Sequence, residues 1–219
     1  MENLRISASD LEKMHHLYRA NLINSLSGYK SANLIGSVDD KGIENMAIFS
    51  SVTHFGSNPP ILGLVTRPTT VPRNSYKNIK ATKYYTINHV HKDIIEEAHL
   101  SSAKYPSNVS EFEKTNLVPW YSPNFKAPYV AGCAIQIGMK FLEEYHIKAN
   151  NTILVLGKIV ELWLNQNLLD KTGLLDLNAA ETVTISGLDS YHLPALLDRF
   201  AYARPDQLIQ SLTILDEKH

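Results

Sequence analysis

The sequence predicts a mainly β domain of the α+β class, in which a barrel or a sheet carries inserted and flanking helices. Short apolar runs of strand-like composition recur along the chain and are separated by turn residues. Two long runs of the same kind flank Asn150-Asn151, a dipeptide typical of a hairpin turn. Strands and helices do not alternate regularly, which argues against a parallel βαβ fold.

Composition and charge narrow the class of protein. The chain has 219 residues, which fits one large domain with a core of its own. Lys and Arg number 21 against 22 Asp and Glu, so the formal net charge of −1 argues against a nucleic-acid partner and a polybasic membrane contact. The sequence shows one cysteine, no signal peptide and no run long enough for a membrane helix. We therefore expect a cytoplasmic protein in which Cys133 is a buried, unreactive thiol.

A helix is predicted at the N-terminus. Ser9 followed by Glu12 fits a capping box. Apolar residues recur at helical spacing from Leu11 to Leu26, and Gly28 suits the end of the helix. Residues 1–28 are therefore interpreted as a helix that packs on the domain.

Residues 29–190 are interpreted as the domain itself, and residues 191–219 as a helical extension. The helix of this extension is predicted from Tyr191 to Ala203, where Pro205 ends it. Within the domain, extended runs predict strands, and two runs of helical pattern predict helices. The predicted strands are Ala32–Val38, Ile43–Thr53, Ile61–Val65, Tyr84–Val90, Ala134–Ile147 and Thr152–Leu164, and the predicted helices are Asn74–Thr82 and Asp93–Ser102.

The segment 103–131 is the least regular part of the domain. It contains four prolines and six aromatic residues. A loop with this much aromatic area is either a lid over a site or a surface for a partner. An aromatic cluster packed on the core explains the same residues equally well, so both interpretations stay open.

Several catalytic motifs are absent from the sequence. It has no glycine-rich dinucleotide fingerprint, no phosphate-loop motif and no Gly-x-Ser-x-Gly elbow of the common hydrolases. The pair His89-x-His91 is the one zinc-like pattern, and surface or hydrogen-bonded histidines are its simpler interpretation. We predict no metal site and nominate no catalytic side chain.

The segment 45–51 is the first candidate for ligand binding. It ends a predicted strand with two hydroxyl residues and offers small side chains, so a flat ligand can approach the backbone. Backbone N–H groups and hydroxyls can then contact the polar edge of such a ligand. A strand that simply ends in polar residues is the alternative. The candidate residues are Asn45, Ala47, Ile48, Ser50 and Ser51.

The segment 67–75 is the second candidate. Two arginines and several hydroxyl residues lie in a loop immediately before a predicted helix. The N-terminus of a helix presents free N–H groups, and a guanidinium group matches phosphate oxygens, so we predict an anion site here. A helix cap by Asn74 or Ser75 is the alternative, but it leaves both arginines unexplained. The candidate residues are Arg67, Arg73, Asn74 and Ser75.

One short strand, Ile61–Val65, separates the two candidate segments along the chain. Five extended residues span about 17 Å. A mononucleotide with a flat ring at one end and a phosphate at the other is of similar length, so one such ligand could contact both segments.

A series of short motifs follows one another along the chain. The motifs are Gly42-x-x-Asn45-x-Ala47-x-Phe49-Ser50, Asn58-Pro59-Pro60, Ser75-x-x-Asn78-Ile79, Asn88 and Gly157-Lys158-Ile159-Val160. Their order and spacing, over roughly residues 25–190, resemble the flavin reductase-like domain family. The resemblance implies an FMN-binding split β-barrel, usually a homodimer, with FMN held non-covalently near the subunit interface.

The resemblance also implies roles for single residues. Asn45, Ala47, Ser50 and Ser51 match the family segment that lies along the flavin ring and the ribityl chain. Ser75 matches the hydroxyl position of the motif whose loop holds the phosphate. Members of the family typically transfer hydride from NADH or NADPH to the flavin, so the implied cofactor is FMN and the implied co-substrate is NADH or NADPH.

One stretch departs from the family pattern. Many members carry Gly-Asp-His before the strand that contains Gly157, whereas this chain has Ala149-Asn150-Asn151-Thr152. The histidine that the family links to nicotinamide handling is therefore absent. The alternative function is a flavin-binding or electron-carrier protein without nicotinamide turnover.

Overall fold

The structure is a computed structural model that describes residues 3–212. Its α-helices are α1 (Ala8–Lys13), α2 (His16–Leu26), α3 (Asn74–Thr82), α4 (Ile95–Leu100) and α5 (Glu111–Lys114), and short 3-10 turns occupy Lys92–Ile94 and Gln166–Leu168. Its strands are β1 (Lys30–Ser31), β2 (Asn33–Val38), β3 (Glu44–Phe49), β4 (Thr53–Ser57), β5 (Pro60–Thr66), β6 (Tyr84–His89), β7 (Pro119–Trp120), β8 (Tyr129–Val130), β9 (Ile135–Ile147), β10 (Thr152–Leu164), β11 (Thr184–Ser186) and β12 (Ser190–His192). No helix within the described range is long and apolar enough to cross a membrane.

Seven strands form one antiparallel sheet in the order β3-β2-β6-β9-β10-β5-β4. The two edge strands, β3 and β4, are consecutive in the chain and are separated by residues 50–52 alone. Since so few residues span only about 10–14 Å, the sheet must curl until its two edges approach each other. The mainly β class predicted from the sequence is confirmed. The strand predicted over Ile43–Thr53 instead ends at Phe49, where the chain crosses between the two edges.

The inner face of the curled sheet holds the main core. Residues directly opposite each other on neighbouring strands share a face, and the register places Ile35 of β2 between Ala47 of β3 and Ile87 of β6. Apolar side chains from β2, β5, β6, β9 and β10 fill this interior, together with Ile79 of α3. The packing of α3 brings its first turn close to β2 and β3.

The segment 103–131 covers the outer face of β2, β3 and β6. Phe112 is buried there in a second cluster that includes Met46 of β3. Trp120 and Tyr129 stack on each other, with ring centroids 4.8 Å apart. The packed aromatic cluster, one of the two interpretations left open by the sequence, is the arrangement that the structure shows.

The N-terminal segment forms two short helices rather than one. The capping box belongs to Ser7 and Asp10, not to Ser9 and Glu12. The Ser7 hydroxyl accepts from the N–H of Asp10, and the Asp10 carboxylate accepts from the N–H of Ser7. The chain leaves the helical conformation at Met14, where ψ is 144°. Neither helix buries a residue, so packing of this segment on the domain stays a prediction.

The helix predicted from Tyr191 to Ala203 is not formed, and this prediction is wrong. The first two residues of that range belong to β12, which pairs with β11. Pro194 then disfavours a helical conformation of the residue before it and cannot donate a helical hydrogen bond. Further along, residues 199–201 pair with residues 210–212 through backbone hydrogen bonds. Residues 213–219 lie outside the described residues, and the predicted domain boundaries stay predictions.

Candidate functional site

The first candidate segment lies on β3, at one edge of the sheet. Asn45 and Ala47 face inward with their partners on β2, whereas the side chain of Ile48 packs on the outer cluster. Ser50 and Ser51 follow in the link to β4. The structure therefore keeps the five candidates together along one edge, but it leaves only the backbone of Ile48 available to a ligand at that edge.

Asn45 and Ser75, which are far apart in the sequence, are brought into direct contact. The amide Nδ2 of Asn45 donates to Oγ of Ser75 at 2.8 Å and is 3.4 Å from Oγ of Ser37. The amide Nδ2 of Asn78 donates to the same Ser37 oxygen at 3.3 Å. All four side chains are buried. This network docks the first turn of α3 on β2 and β3, and it therefore joins the two candidate segments.

A second contact joins the candidate segments at the other end of β3. The hydroxyl of Ser51 donates to the carbonyl oxygen of Val65 at 2.9 Å and accepts from the N–H of the same residue at 3.1 Å. Val65 lies near the end of β5, two residues before Arg67. The link between β3 and β4 thus lies beside the start of the arginine loop, so the segments are neighbours in space rather than the two ends of a strand.

The helix α3 begins without a side-chain cap. Arg73 occupies the N-cap position and makes no capping hydrogen bond, while Asn74 and Ser75 are the first two residues of the helix itself. The alternative in which Asn74 or Ser75 caps the helix is therefore wrong. The first-turn N–H groups have no partner within the helix, and the positive end of the helix dipole lies there. This geometry suits an anion.

Two arginines accompany this helix start. The Nε–H of Arg73 donates to the carbonyl oxygen of Pro68 at 3.1 Å, which braces the loop between β5 and α3. A guanidinium group carries five N–H donors, so four remain on Arg73 after this contact. Arg67 is exposed at the start of the same loop. The loop therefore places two permanent positive charges between the Ser51 contact and the uncapped helix start.

The open edge of β3 is held by a residue that the sequence analysis missed. The backbone N–H of Met46 donates to Oε2 of Glu111 at 3.0 Å. Alternation along an antiparallel strand directs the N–H of Ile48 to the same edge. Burial raises the pKa of the Glu111 carboxyl group, which is only 5% exposed. The sequence gives no local signal for this contact, because Ser110-Glu111 has the pattern of an ordinary helix start.

We expect Glu111→Ala to lower the free energy of unfolding by about 2 kcal/mol, because a buried N–H loses a charged acceptor. Glu111→Gln keeps an acceptor for Met46 and removes the desolvated charge, so it should cost less. The raised pKa means that the folded protein binds the proton more tightly than the unfolded chain. The contribution of Glu111 to the free energy of unfolding therefore falls as pH rises from about 4.3, the pKa in the unfolded chain, through the pKa in the folded protein. The glutamine variant lacks this dependence on pH.

Urea denaturation at several pH values measures both effects of the Glu111 substitutions. Glu113→Gln is the matched control, because Glu113 lies on the same short helix and is exposed. An equal loss of stability in the alanine and glutamine variants would contradict the assigned contact.

The two histidines of the zinc-like pattern have separate surroundings. Burial lowers the pKa of His89 to about 4, so its ring is neutral near pH 7. The two ring nitrogens of His91 each lie 3.4 Å from a carboxylate oxygen, one of Asp93 and one of Glu181. Within residues 3–212, no group of three or more His, Cys, Asp or Glu residues is placed to hold a metal ion. Burial raises the pKa of the Cys133 thiol to about 12, which makes it unreactive.

Fold and site together define a class of protein. A curled antiparallel sheet, with a short link between its edges and a cationic loop beside that link, is a split β-barrel with a candidate anion site. Residues 26–182 match the sequence profile of the flavin reductase like domain. The chain belongs to this family, and the resemblance seen in its motifs is confirmed.

Solved structures share the fold over most of the chain. A candidate flavin reductase with a split barrel domain from Shewanella frigidimarina is 43% identical, with 92% of this chain and 100% of that chain covered and a TM-score of 0.89. Nitrilotriacetate monooxygenase component B from Bacillus cereus is 16% identical, with 90% and 98% covered and a TM-score of 0.78. An FMN-binding protein from Thermus thermophilus is also 16% identical, with 89% and 97% covered and a TM-score of 0.65. The predicted split β-barrel is thereby confirmed.

Proposed function

We propose that this protein is an oxidoreductase that binds FMN and transfers hydride between NADH or NADPH and the bound flavin. The observation that carries the proposal is the uncapped start of α3, with Arg67 and Arg73 in the loop before it and the Ser51 link beside that loop. A phosphate at the helix start and a flat ring along the β3 edge use both candidate segments at once. Membership in the flavin reductase like domain family supports flavin as the ligand.

Each part of the site has its own task in this proposal. The two arginines and the first-turn N–H groups of Asn74 and Ser75 bind the phosphate. The N–H of Ile48 and the hydroxyl of Ser50 contact the polar edge of the ring. When bound, FMN supplies the hydride chemistry, so the protein orients and shields the reactants and needs no acid–base pair of its own.

Four residues of the site act through their position. Asn45 and Ser75 hold α3 against β3 through their hydrogen bond, so they fix the phosphate site relative to the ring site. Ser51 fixes the link between the edge strands through its two bonds to Val65. Ala47 has a small side chain, so a flat ligand can approach the strand at this position.

The outer face next to the site supports a homodimer as part of the proposal. Val65, Leu154 and Tyr145 lie directly opposite one another across β5, β10 and β9. Val65 and Tyr145 are exposed there, as is Trp163 further along β10. Apolar groups exposed side by side typically mark a protein interface. A second copy of the chain on this face would lie beside the Ser51 link.

The second candidate function is flavin binding or electron transfer without nicotinamide turnover. It is favoured by the hairpin between β9 and β10, where the family pattern has a histidine and this chain has Asn150 and Asn151. The Asn150 side chain accepts hydrogen bonds from the N–H and the hydroxyl of Thr152, and Asn151 adopts a positive φ of 58°. These residues shape the turn and offer no imidazole to a nicotinamide ring.

The visible spectrum of the purified protein, followed by anaerobic addition of NADH and then NADPH, tests the proposal. We expect a yellow protein whose colour is lost on addition of one of the two donors. A yellow protein that neither donor bleaches would favour the second candidate function. A colourless protein that also fails to bind added FMN would refute both.

The cytoplasmic location and the absence of nucleic-acid and membrane partners stay predictions from the sequence. They accompany the proposal without adding support to it.

A further inference from the structure

Positive charge is concentrated in one stretch beyond what a single phosphate requires. Residues 67–83 contain five lysines and arginines and no aspartate or glutamate, in a chain of net charge −1. Arg73, Lys77 and Lys80 follow one another at spacings of four and three residues, where like charges on a helix repel. A phosphate monoester carries about two negative charges near pH 7, so the proposed FMN phosphate does not account for the whole cluster.

The same three cations line one cavity. An aromatic ring and several apolar groups form the rest of its wall, so a planar base could pack beside phosphates. The other residues that line the cavity are Thr69, Val71, Pro72 and Tyr76. This combination of aromatic wall and cations matches the chemistry of a nucleotide.

One side of the cavity is already fixed by the protein itself. Glu144 of β9 accepts from the hydroxyl of Tyr76 at 3.1 Å and from Nζ of Lys80 at 2.9 Å. Glu144 therefore orients the Tyr76 ring and neutralises part of the charge of Lys80. Arg73 and Lys77 have no carboxylate partner within 4 Å among residues 3–212, so their charges are available to an anion.

We propose that this cavity binds the adenylate half of a nicotinamide dinucleotide. In this proposal the base packs against Tyr76 and Pro72, and the phosphates lie against Lys77 and against the donors of Arg73 that the FMN phosphate does not use. The assignment rests on the proposed function, because the dinucleotide is the hydride donor of that reaction. A 2′-phosphate adds about two further negative charges beside Lys77 and Lys80, so the cavity favours NADPH over NADH.

Dinucleotide fragments without nicotinamide test this assignment independently of turnover. ADP-ribose and 2′-phospho-ADP-ribose are titrated calorimetrically into the FMN-loaded protein. We expect both to bind without releasing FMN, the phosphorylated fragment about fivefold more tightly or better. Lys77→Gln should weaken binding of both fragments by about fivefold or more.

Lys83→Gln is the matched control for Lys77→Gln. It removes the same charge just after the same helix, and its ammonium lies over the Phe141 ring, 4.8 Å from the centroid, rather than in the cavity wall. We expect fragment binding in this variant to equal that of the wild type.

Three results would overturn the assignment. The first is a wild-type protein that binds neither fragment, and the second is equal binding by the Lys77 and Lys83 variants. The third is release of FMN by either fragment, because the cavity would then be the flavin phosphate site itself.

The failure of the proposed function gives a different pattern. If the fragments bind through Lys77 but NADPH does not reduce the flavin, the cavity assignment is supported and hydride transfer is refuted. If FMN does not bind at all, the fragments are titrated into the flavin-free protein. Binding that depends on Lys77 then still supports a nucleotide cavity, and its absence refutes it.

Discussion

Replacing Arg67 and Arg73 together with alanine should weaken FMN binding by about 100-fold or more, while riboflavin affinity stays within about twofold of the wild type. The two ligands share the ring and the ribityl chain and differ only in the phosphate. A hydrogen bond to a charged group contributes about 1.5–3 kcal/mol, which corresponds to about 10- to 100-fold in affinity for each arginine.

The two arginines differ in whether their replacement affects phosphate binding alone. Arg73 also holds the Pro68 carbonyl through its Nε, so its loss loosens the loop as well as removing a charge. Arg67 makes no such contact among the described side-chain hydrogen bonds, and it is exposed. Arg67→Ala alone should therefore weaken FMN binding by about 10-fold through charge and donor loss only.

Fluorescence titration with FMN and with riboflavin measures these effects. Arg204→Ala, which removes an exposed arginine from the described part of the tail, is the control for the change in net charge. Equal losses of FMN and riboflavin affinity would show that the loop shapes the ring site rather than the phosphate site. Unchanged FMN affinity in the double variant would place the phosphate elsewhere.

The elements that the sequence predicted well are those that local pattern alone determines. The helix Asn74–Thr82 and the strand Thr152–Leu164 have the predicted bounds, because periodicity and turn residues mark both ends. The two failures have different causes. Pairing of β12 with β11 draws the start of the predicted tail helix into a sheet. At the N-terminus, Ser7–Asp10 and Ser9–Glu12 both fit a capping pattern, and only the structure distinguishes them.

The candidate site was predicted as two segments, but its assembly was not. Residue types and the loop before a helix indicated each segment separately. The contacts that join them, Asn45 with Ser75 and Ser51 with Val65, depend on how the sheet curls and how α3 docks. Strand length along the chain therefore overestimated their separation. The contact of Glu111 could not be predicted for the same reason, because this residue approaches β3 from an insertion 65 residues later in the chain.

The insertion that carries Glu111 is itself anchored at a glycine of β2, which leads to the second prediction of large effect. Gly36→Ala should lower the free energy of unfolding by about 3 kcal/mol, because an added methyl overpacks the site and breaks a buried hydrogen bond. A Cβ at Gly36 would overlap the carbonyl oxygen of Pro128 and lie 2.5 Å from Oγ1 of Thr86. That hydroxyl donates to the same carbonyl at 2.6 Å, so no space remains for a methyl group.

The consequence should extend to the site, since Gly36 lies directly opposite Met46, whose N–H is held by Glu111. A loss of about 3 kcal/mol corresponds to a fall in melting temperature of about 6–12 °C for a chain of this size, and FMN affinity should fall with it. Gly56→Ala in β4 is the comparison variant, because its added Cβ meets one atom, the Pro59 carbonyl oxygen at 3.3 Å, which has to move by only a few tenths of an ångström. If the melting temperatures of both variants lie within about 2 °C of the wild-type value, the backbone at Pro128 moves aside at little cost in stability. The insertion would then not hold β3 in place.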